Sequence, residues 1–153
     1  MQRSDAQVEL KVSAMIEKCR EAGMNITPQR VAIYRALVRS EEHPTPEMLY
    51  QTVAREMPSL SLATIYKTLD SLAEIGLVRS VPVVSDKKRF DANDDPHHHL
   101  VCTRCGMIRD YHTHQFDDLI PRRQVQGFTA QSVSVNISGI CAECRRKGKE
   151  EQA

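Results

Sequence analysis

Four cysteines in two CxxC pairs constrain this chain more than any other feature. Cys102-Thr103-Arg104-Cys105 and Cys141-Ala142-Glu143-Cys144 are separated by 35 residues. A CxxC knuckle puts two thiolates on one side of a tight turn. Two knuckles complete a tetrahedral all-sulfur site for zinc. Gly106, directly after Cys105, suits that turn. A four-thiolate site has no open coordination position, so it implies a structural Zn2+ rather than a catalytic one. The fifth cysteine, Cys19, lies on an apolar helical stripe and reads as core. An odd cysteine count argues against a disulfide framework. Charges run throughout Met1 to Arg20 with no apolar leader segment, so a cytoplasmic protein is expected. No run of about 18 apolar residues exists, and no membrane partner is expected.

Upstream of the knuckles the apolar residues recur at helical spacing. Val8, Val12, Met15, Ile16 and Cys19 form one stripe, and Gly23 is the expected stop. Thr27-Pro28 and Thr45-Pro46 each place Thr at an N-cap and Pro at the first helical position. The helix after Pro46 is expected to run on through Met57 to Pro58. Ser59 or Ser61 caps a fourth helix, with Leu62, Ile65, Leu69 and Leu72 inward and Gly76 past its end. Leu77–Val84 then reads as a strand, Ser85–Lys88 as a turn and Arg89–Asp91 as a returning strand. Helices followed by a short hairpin imply a winged helix-turn-helix over residues 1–90. Residues 91–96 are polar and read as a linker. Residues 97–153 read as a small α/β metal-binding and dimerisation domain: strands near the first knuckle, a short helix over Phe116–Gln124, and a strand over Phe128–Ile137 with Val133, Val135 and Ile137 buried. The fold class is α+β.

Charge does not decide the partner. There are 21 basic and 20 acidic residues, which excludes a polybasic coat but not a local DNA-binding patch. In the fourth helix the apolar stripe leaves Ser61, Thr64, Tyr66, Lys67, Thr68 and Ser71 on outer or flanking surfaces, a set that fits a recognition helix in the major groove. Lys67 suits a guanine or a phosphate; Arg30, Lys87, Lys88 and Arg89 suit phosphates.

A histidine triplet, His97-His98-His99, precedes the first knuckle. On a strand, His97 and His99 share a face and His98 takes the other. Asp91, Asp94, Asp95 and Asp110 are the nearby carboxylates. Imidazole with carboxylate suits a divalent transition ion such as iron, manganese or zinc.

These residues resemble the ferric uptake regulator family. The resemblance rests on Thr27-Pro-Gln-Arg30, Glu42-His-Pro-Thr45, Ser61-Leu-Ala-Thr-Ile-Tyr-Lys-Thr-Leu69 and His97-His-His-Leu-Val-Cys-Thr-Arg-Cys-Gly106, and covers roughly residues 10–147. It implies a homodimeric repressor that binds a palindromic operator in double-stranded DNA. It also implies a regulatory Fe2+ or Mn2+ held by His43, Asp91, His97, His99 and Asp110. That ligand set, with Asp at 91 and 110 and no cysteine, is similar to the peroxide-stress branch. There, histidine ligands take up oxygen; the matching positions are His43 and His97. Lys67 departs from both branches' common residues. Ser132 and Val133 stand where relatives often carry a further metal-binding histidine. His98 then has no evident task, and His112 and His114 read as surface residues.

Three competing readings are weaker. A repressor of this kind that answers to iron or manganese level alone needs no oxidation chemistry. A metallohydrolase would need room for water and substrate beside five protein ligands, and no further general base or phosphate loop is recognisable. A zinc-ribbon adaptor leaves the helix-turn-helix unexplained.

Overall fold

The structure is a computed structural model and describes residues 4–81, 87–93, 95–116, 118, 126–129 and 133–150. It divides into two compact units, Met1–Asp94 and Asp95–Ala153. Among the described residues no helix is long and apolar enough to cross a membrane.

The first unit opens with α1 (Asp5–Glu21), started by a capping box between Ser4 and Gln7. Helices α2 (Pro28–Arg39) and α3 (Pro46–Val53) begin as their Thr-Pro signals require, with Thr27 and Thr45 accepting from the third backbone N–H. Helix α3 ends at Val53 rather than at Pro58. The residue before a proline is disfavoured in the helical region, so Met57 cannot prolong it. Instead Glu56 and Met57 turn back onto the Val53 carbonyl, and Leu60 drops into the core. Helix α4 (Leu62–Glu74) is capped by Ser61 and closed near Gly76, whose φ of +73° suits glycine.

The wing follows as β1 (Arg79–Val81) antiparallel to β2 (Arg89–Asp91), with Ser80 opposite Phe90. The rest of the expected Leu77–Val84 strand and part of the expected turn, at positions 82–86, lie outside the described residues. Asp91 closes β2 and so belongs to the wing, not to a linker. One apolar core joins these elements: Val8 and Met15 of α1, Ile33 and Leu37 of α2, Leu49 of α3, Ile65, Leu69 and Leu72 of α4, and Phe90 of β2. Cys19 is fully buried in it, with its thiol 3.6 Å from the Met15 sulfur. Each such large apolar side chain contributes roughly 1.5–3 kcal/mol by leaving water. Thr68 joins this buried face, contrary to its expected outer position. It lies three residues after Ile65 and four before Leu72, which puts it on their stripe.

The second unit is a three-stranded sheet in the order β4-β3-β5 with a terminal helix. Strands β3 (His98–Cys102) and β4 (Ile108–Tyr111) are antiparallel, and β5 (Asn136–Gly139) runs parallel to β3. Helix α5 (Ala142–Glu150) carries the last cysteine. Positions 130–132 of the expected strand over Phe128–Ile137 lie outside the described residues; of the rest, β5 starts at Asn136, Val133 and Val135 are half-buried, and Ile137 is 38% exposed rather than buried. Among the described residues only the β3 side of β5 is paired, so Ile137 is not covered. The expected helix over Phe116–Gln124 falls largely outside the described residues.

Candidate metal centres

The first knuckle is shaped by backbone hydrogen bonds. The Gly106 N–H donates to the Cys102 carbonyl at 2.9 Å, with Gly106 at φ +72°. The second knuckle is brought against it by β5, where Thr103 N–H donates to the Gly139 carbonyl. Arg104 joins the two from its side chain, its guanidinium donating to the Cys144 carbonyl at 3.0 Å. The four sulfurs of Cys102, Cys105, Cys141 and Cys144 lie within 4.8 Å of one another. Cys105 and Cys141 are 3.8 Å apart at sulfur. A disulfide would need about 2.05 Å. Four Zn–S bonds of about 2.3 Å give a tetrahedron edge of about 3.8 Å.

The protonation of these sulfurs also calls for a cation. The backbone N–H groups of Cys141 and Cys105 pull the Cys102 thiol down from 9.0 to about 6. Burial, then the neighbouring sulfurs, push Cys144 up to about 12. Four clustered thiolates form together only around a dication, which fits zinc. The folded value of Cys102 lies below its ordinary one, so the contribution of its thiolate is lost as pH falls through about 6. Zinc is expected to stay bound at neutral pH and, because the dication itself holds the thiolates ionised, to pass to a chromogenic chelator only in more acid solution. Protein purified at neutral pH without zinc would contradict the assignment.

A second donor group stands on the same sheet. His99 and Asp110 are direct partners across β3 and β4. One ligand atom each from His97, His99 and Asp110 lies within 4.8 Å of the others. The two Nε2 atoms are 3.1 Å apart, and His97 Nε2 is 3.5 Å from Asp110 Oδ1. Hydrogen bonds on the far sides of the rings explain this convergence. His97 Nδ1 sits 2.7 Å from the Asp95 carbonyl, and His99 Nδ1 sits 3.2 Å from Asn136 Oδ1. Both acceptors hold the proton on Nδ1 and put the lone pair on Nε2. Two lone pairs directed together at about 3 Å match neighbouring ligands of one ion with metal–nitrogen bonds of about 2.1 Å.

His98 faces the other way, as strand parity requires. Its Nδ1 accepts the Val135 N–H at 3.2 Å and its ring meets Phe116 edge-on at 5.0 Å. This places its proton on Nε2 and fastens the segment before β5 to β3. That is the task the sequence left unassigned. His112 and His114 are exposed, as expected.

The remaining two expected ligands, His43 and Asp91, belong to the first unit and meet each other there, Nδ1 to Oδ1 at 3.6 Å. His43 adopts φ +45°, a left-handed conformation costly for a side chain that is not glycine. The loop is held by Arg89, which donates to the His43 carbonyl, and by the Phe90 N–H, which donates to the Pro44 carbonyl. Asp91 accepts the Asn93 N–H at 2.6 Å and lies 3.7 Å from the Arg79 guanidinium.

On α4, Tyr66 and Lys67 are exposed, while Ser61 and Thr64 are occupied with each other at the cap, Oγ to Oγ1 at 2.9 Å. Arg30 is half-buried and donates to the Asn25 carbonyl. Asp95, expected as a nearby carboxylate, contributes its backbone carbonyl instead. Two contributors were missed in the sequence: Asn136 behind His99, and Glu47, which accepts the Tyr66 hydroxyl at 2.7 Å. No spacing signal connects residues 19 or 37 positions apart.

The ferric uptake regulator family model matches residues 21–138. The chain is 37% identical over 142 residues to the peroxide-responsive repressor PerR of Staphylococcus epidermidis, covering 92% of this chain and 95% of that one. Among solved structures, the Campylobacter jejuni peroxide stress regulator is similar with a TM-score of 0.63 and 31% identity, over 87% of this chain and 98% of that one. A zinc-bound manganese uptake regulator is similar with a TM-score of 0.68 and 25% identity, over 83% and 98%.

Proposed function

The chain belongs to the ferric uptake regulator family, and from that premise we propose that it is a metal-dependent repressor of transcription that senses peroxide in the cytoplasm. The observation that carries the metal-dependent reading is the convergence of the His97 and His99 Nε2 atoms with Asp110, apart from the four cysteines. Its relatives named for peroxide response supply the signal.

The first unit binds double-stranded DNA with α4 in the major groove. Tyr66 and Lys67 reach the bases, Ser61 and Thr64 flank the helix start, and Arg30 with the wing's Lys87, Lys88 and Arg89 serves phosphates. A homodimer binds a palindromic operator. The second unit supports dimerisation with exposed Ile137 and Ile140 beside a strand edge that no described strand pairs. Structural Zn2+ occupies Cys102, Cys105, Cys141 and Cys144.

The regulatory ion, Fe2+ or Mn2+, takes His43 and Asp91 from the first unit and His97, His99 and Asp110 from the second. All five donors are nitrogen or oxygen, the chemistry that suits these ions. An ion needing ligands from both units favours the orientation in which all five reach it, so it is linked to DNA affinity through that equilibrium. Fe2+ held there would supply the redox chemistry that cleaves hydrogen peroxide beside its ligands; His43 and His97 are the side chains that would each take up one peroxide oxygen, the other leaving as water. An oxidised imidazole is a poor ligand, so the DNA-competent state is no longer favoured.

The test is to load the protein with iron, add stoichiometric peroxide, digest it and weigh the peptides. Added oxygen on peptides containing His43 or His97, with loss of operator binding, is expected. No added oxygen with DNA binding intact would leave a repressor of metal level. That second reading is favoured by the likeness to the manganese uptake regulator.

A further inference from the structure

We propose that Glu47 fixes Tyr66 as a hydrogen-bond acceptor toward DNA, so that the pair selects a base bearing an amino group in the major groove. The inference rests on the reading of α4 as the recognition helix and adds a specificity-determining residue from α3.

A phenol has one proton to donate. Tyr66 gives it to Glu47 Oε1, at 2.7 Å. That distance is the charge-assisted range for a hydroxyl on a carboxylate. The carboxylate is anchored where it stands. Glu47 lies in the first turn of α3, where the helix N-terminus favours a negative group. Its ionised form is stabilised first by the Tyr66 hydroxyl, then by its own backbone N–H and the Thr45 hydroxyl, with Lys87 adding attraction. The same contact raises Tyr66 above its ordinary value. At neutral pH the pair is therefore a neutral phenol on a charged carboxylate.

With the proton committed, the Tyr66 oxygen has only lone pairs to present from its exposed position on α4. Adenine N6 and cytosine N4 carry donors in the major groove; guanine and thymine oxygens there are acceptors. Phosphate oxygens are acceptors too, and a carboxylate at the phenol repels them. Tyr66 thus reads a base and is unsuited to anchoring the backbone, while Lys67 beside it keeps the opposite preference. Glu47 is a positioning residue: it acts through the phenol.

The experiment uses the full-length protein, zinc-loaded and saturated with manganese, on a duplex footprinted from its own upstream DNA. Each adenine under the footprint is replaced in turn by purine, and each cytosine by 2-pyrimidinone, which removes only the amino group. Wild type is expected to show one position per half-site where this costs about tenfold in affinity, the scale of a single mismatched pair. Tyr66→Phe abolishes that penalty. Glu47→Ala reduces it to twofold or less, on the order of the resolution of such measurements, and strengthens binding to unrelated duplex. Glu47→Gln, whose amide oxygen still accepts the phenol proton, keeps most of it. Circular dichroism and zinc content confirm that each variant is folded. A full penalty in Glu47→Ala, or no amino group in the footprint that matters to wild type, overturns the proposal. Wild type failing to bind any upstream duplex sinks the DNA-binding reading itself, before the variants are compared.

Discussion

Replacing Cys141 by Ser is expected to cost the second unit its fold, and with it the dimer and operator binding. Among the described residues of that unit, the buried apolar side chains are Cys102, Ile108 and Cys144, two of which are themselves sulfur donors. With so few buried apolar side chains among the described residues, a metal staple is expected to contribute a large share of the stability. Structural zinc contributes about 10–16 kcal/mol in zinc-finger peptides. Loss of one of four thiolates removes a large share of that and leaves the others unmatched. The first unit has its own core, so its helices should persist. The expected picture is a helical circular-dichroism signal, zinc content falling toward zero, and a sedimentation profile without the dimer. A zinc-free Cys141→Ser protein that still dimerises and binds DNA would show that the sheet is held by something else.

The second large effect falls on regulation and leaves the fold intact. His43→Ala should retain zinc and the dimer but lose metal-activated DNA binding. Removing the imidazole deletes one proposed ligand, and even disturbing a ligand's supporting contacts costs about 10–100-fold in metal affinity. Manganese titrated against operator binding should therefore shift by at least about 100-fold. His43 holds φ +45°, which alanine also resists, so a second variant separates strain from ligation. Asparagine tolerates the left-handed region better. If His43→Asn keeps the thermal stability of wild type but shares the lost manganese response, the imidazole is the cause. Normal metal-dependent repression in both variants would remove His43 from the ligand set.

Much of this was legible in the chain because the signals are local. A Thr-Pro pair announces a helix start within three residues, and α2 and α3 begin where the pairs stand. Two CxxC pairs announce a tetrahedral sulfur site because the turn needs only four residues, and the sulfurs do converge. Strand parity put His97 and His99 together and His98 apart. The failures came where a local pattern met a non-local constraint. Thr68 reads as polar and outward, yet its position on the Ile65–Leu72 stripe buries it. Ile137 was expected on a buried strand face, but on β5 it is exposed beside an edge that no described strand pairs.

The sequence by itself determined the family, the two kinds of metal donor and the order of helices and wing, because spacing along the chain carries turn geometry and helical or strand period. The tertiary structure alone decided what each polar atom does with its hydrogen. Asn136 and Asp95 put the lone pairs of two histidines on the same side, Val135 puts the proton of His98 on the opposite nitrogen, and Glu47 takes the only proton of Tyr66. The partners of His98, His99 and Tyr66 come from elements 19 to 37 residues away. A hydrogen bond acts over about 3 Å and is blind to sequence distance, so only the pairing of strands and the packing of helices could assign them.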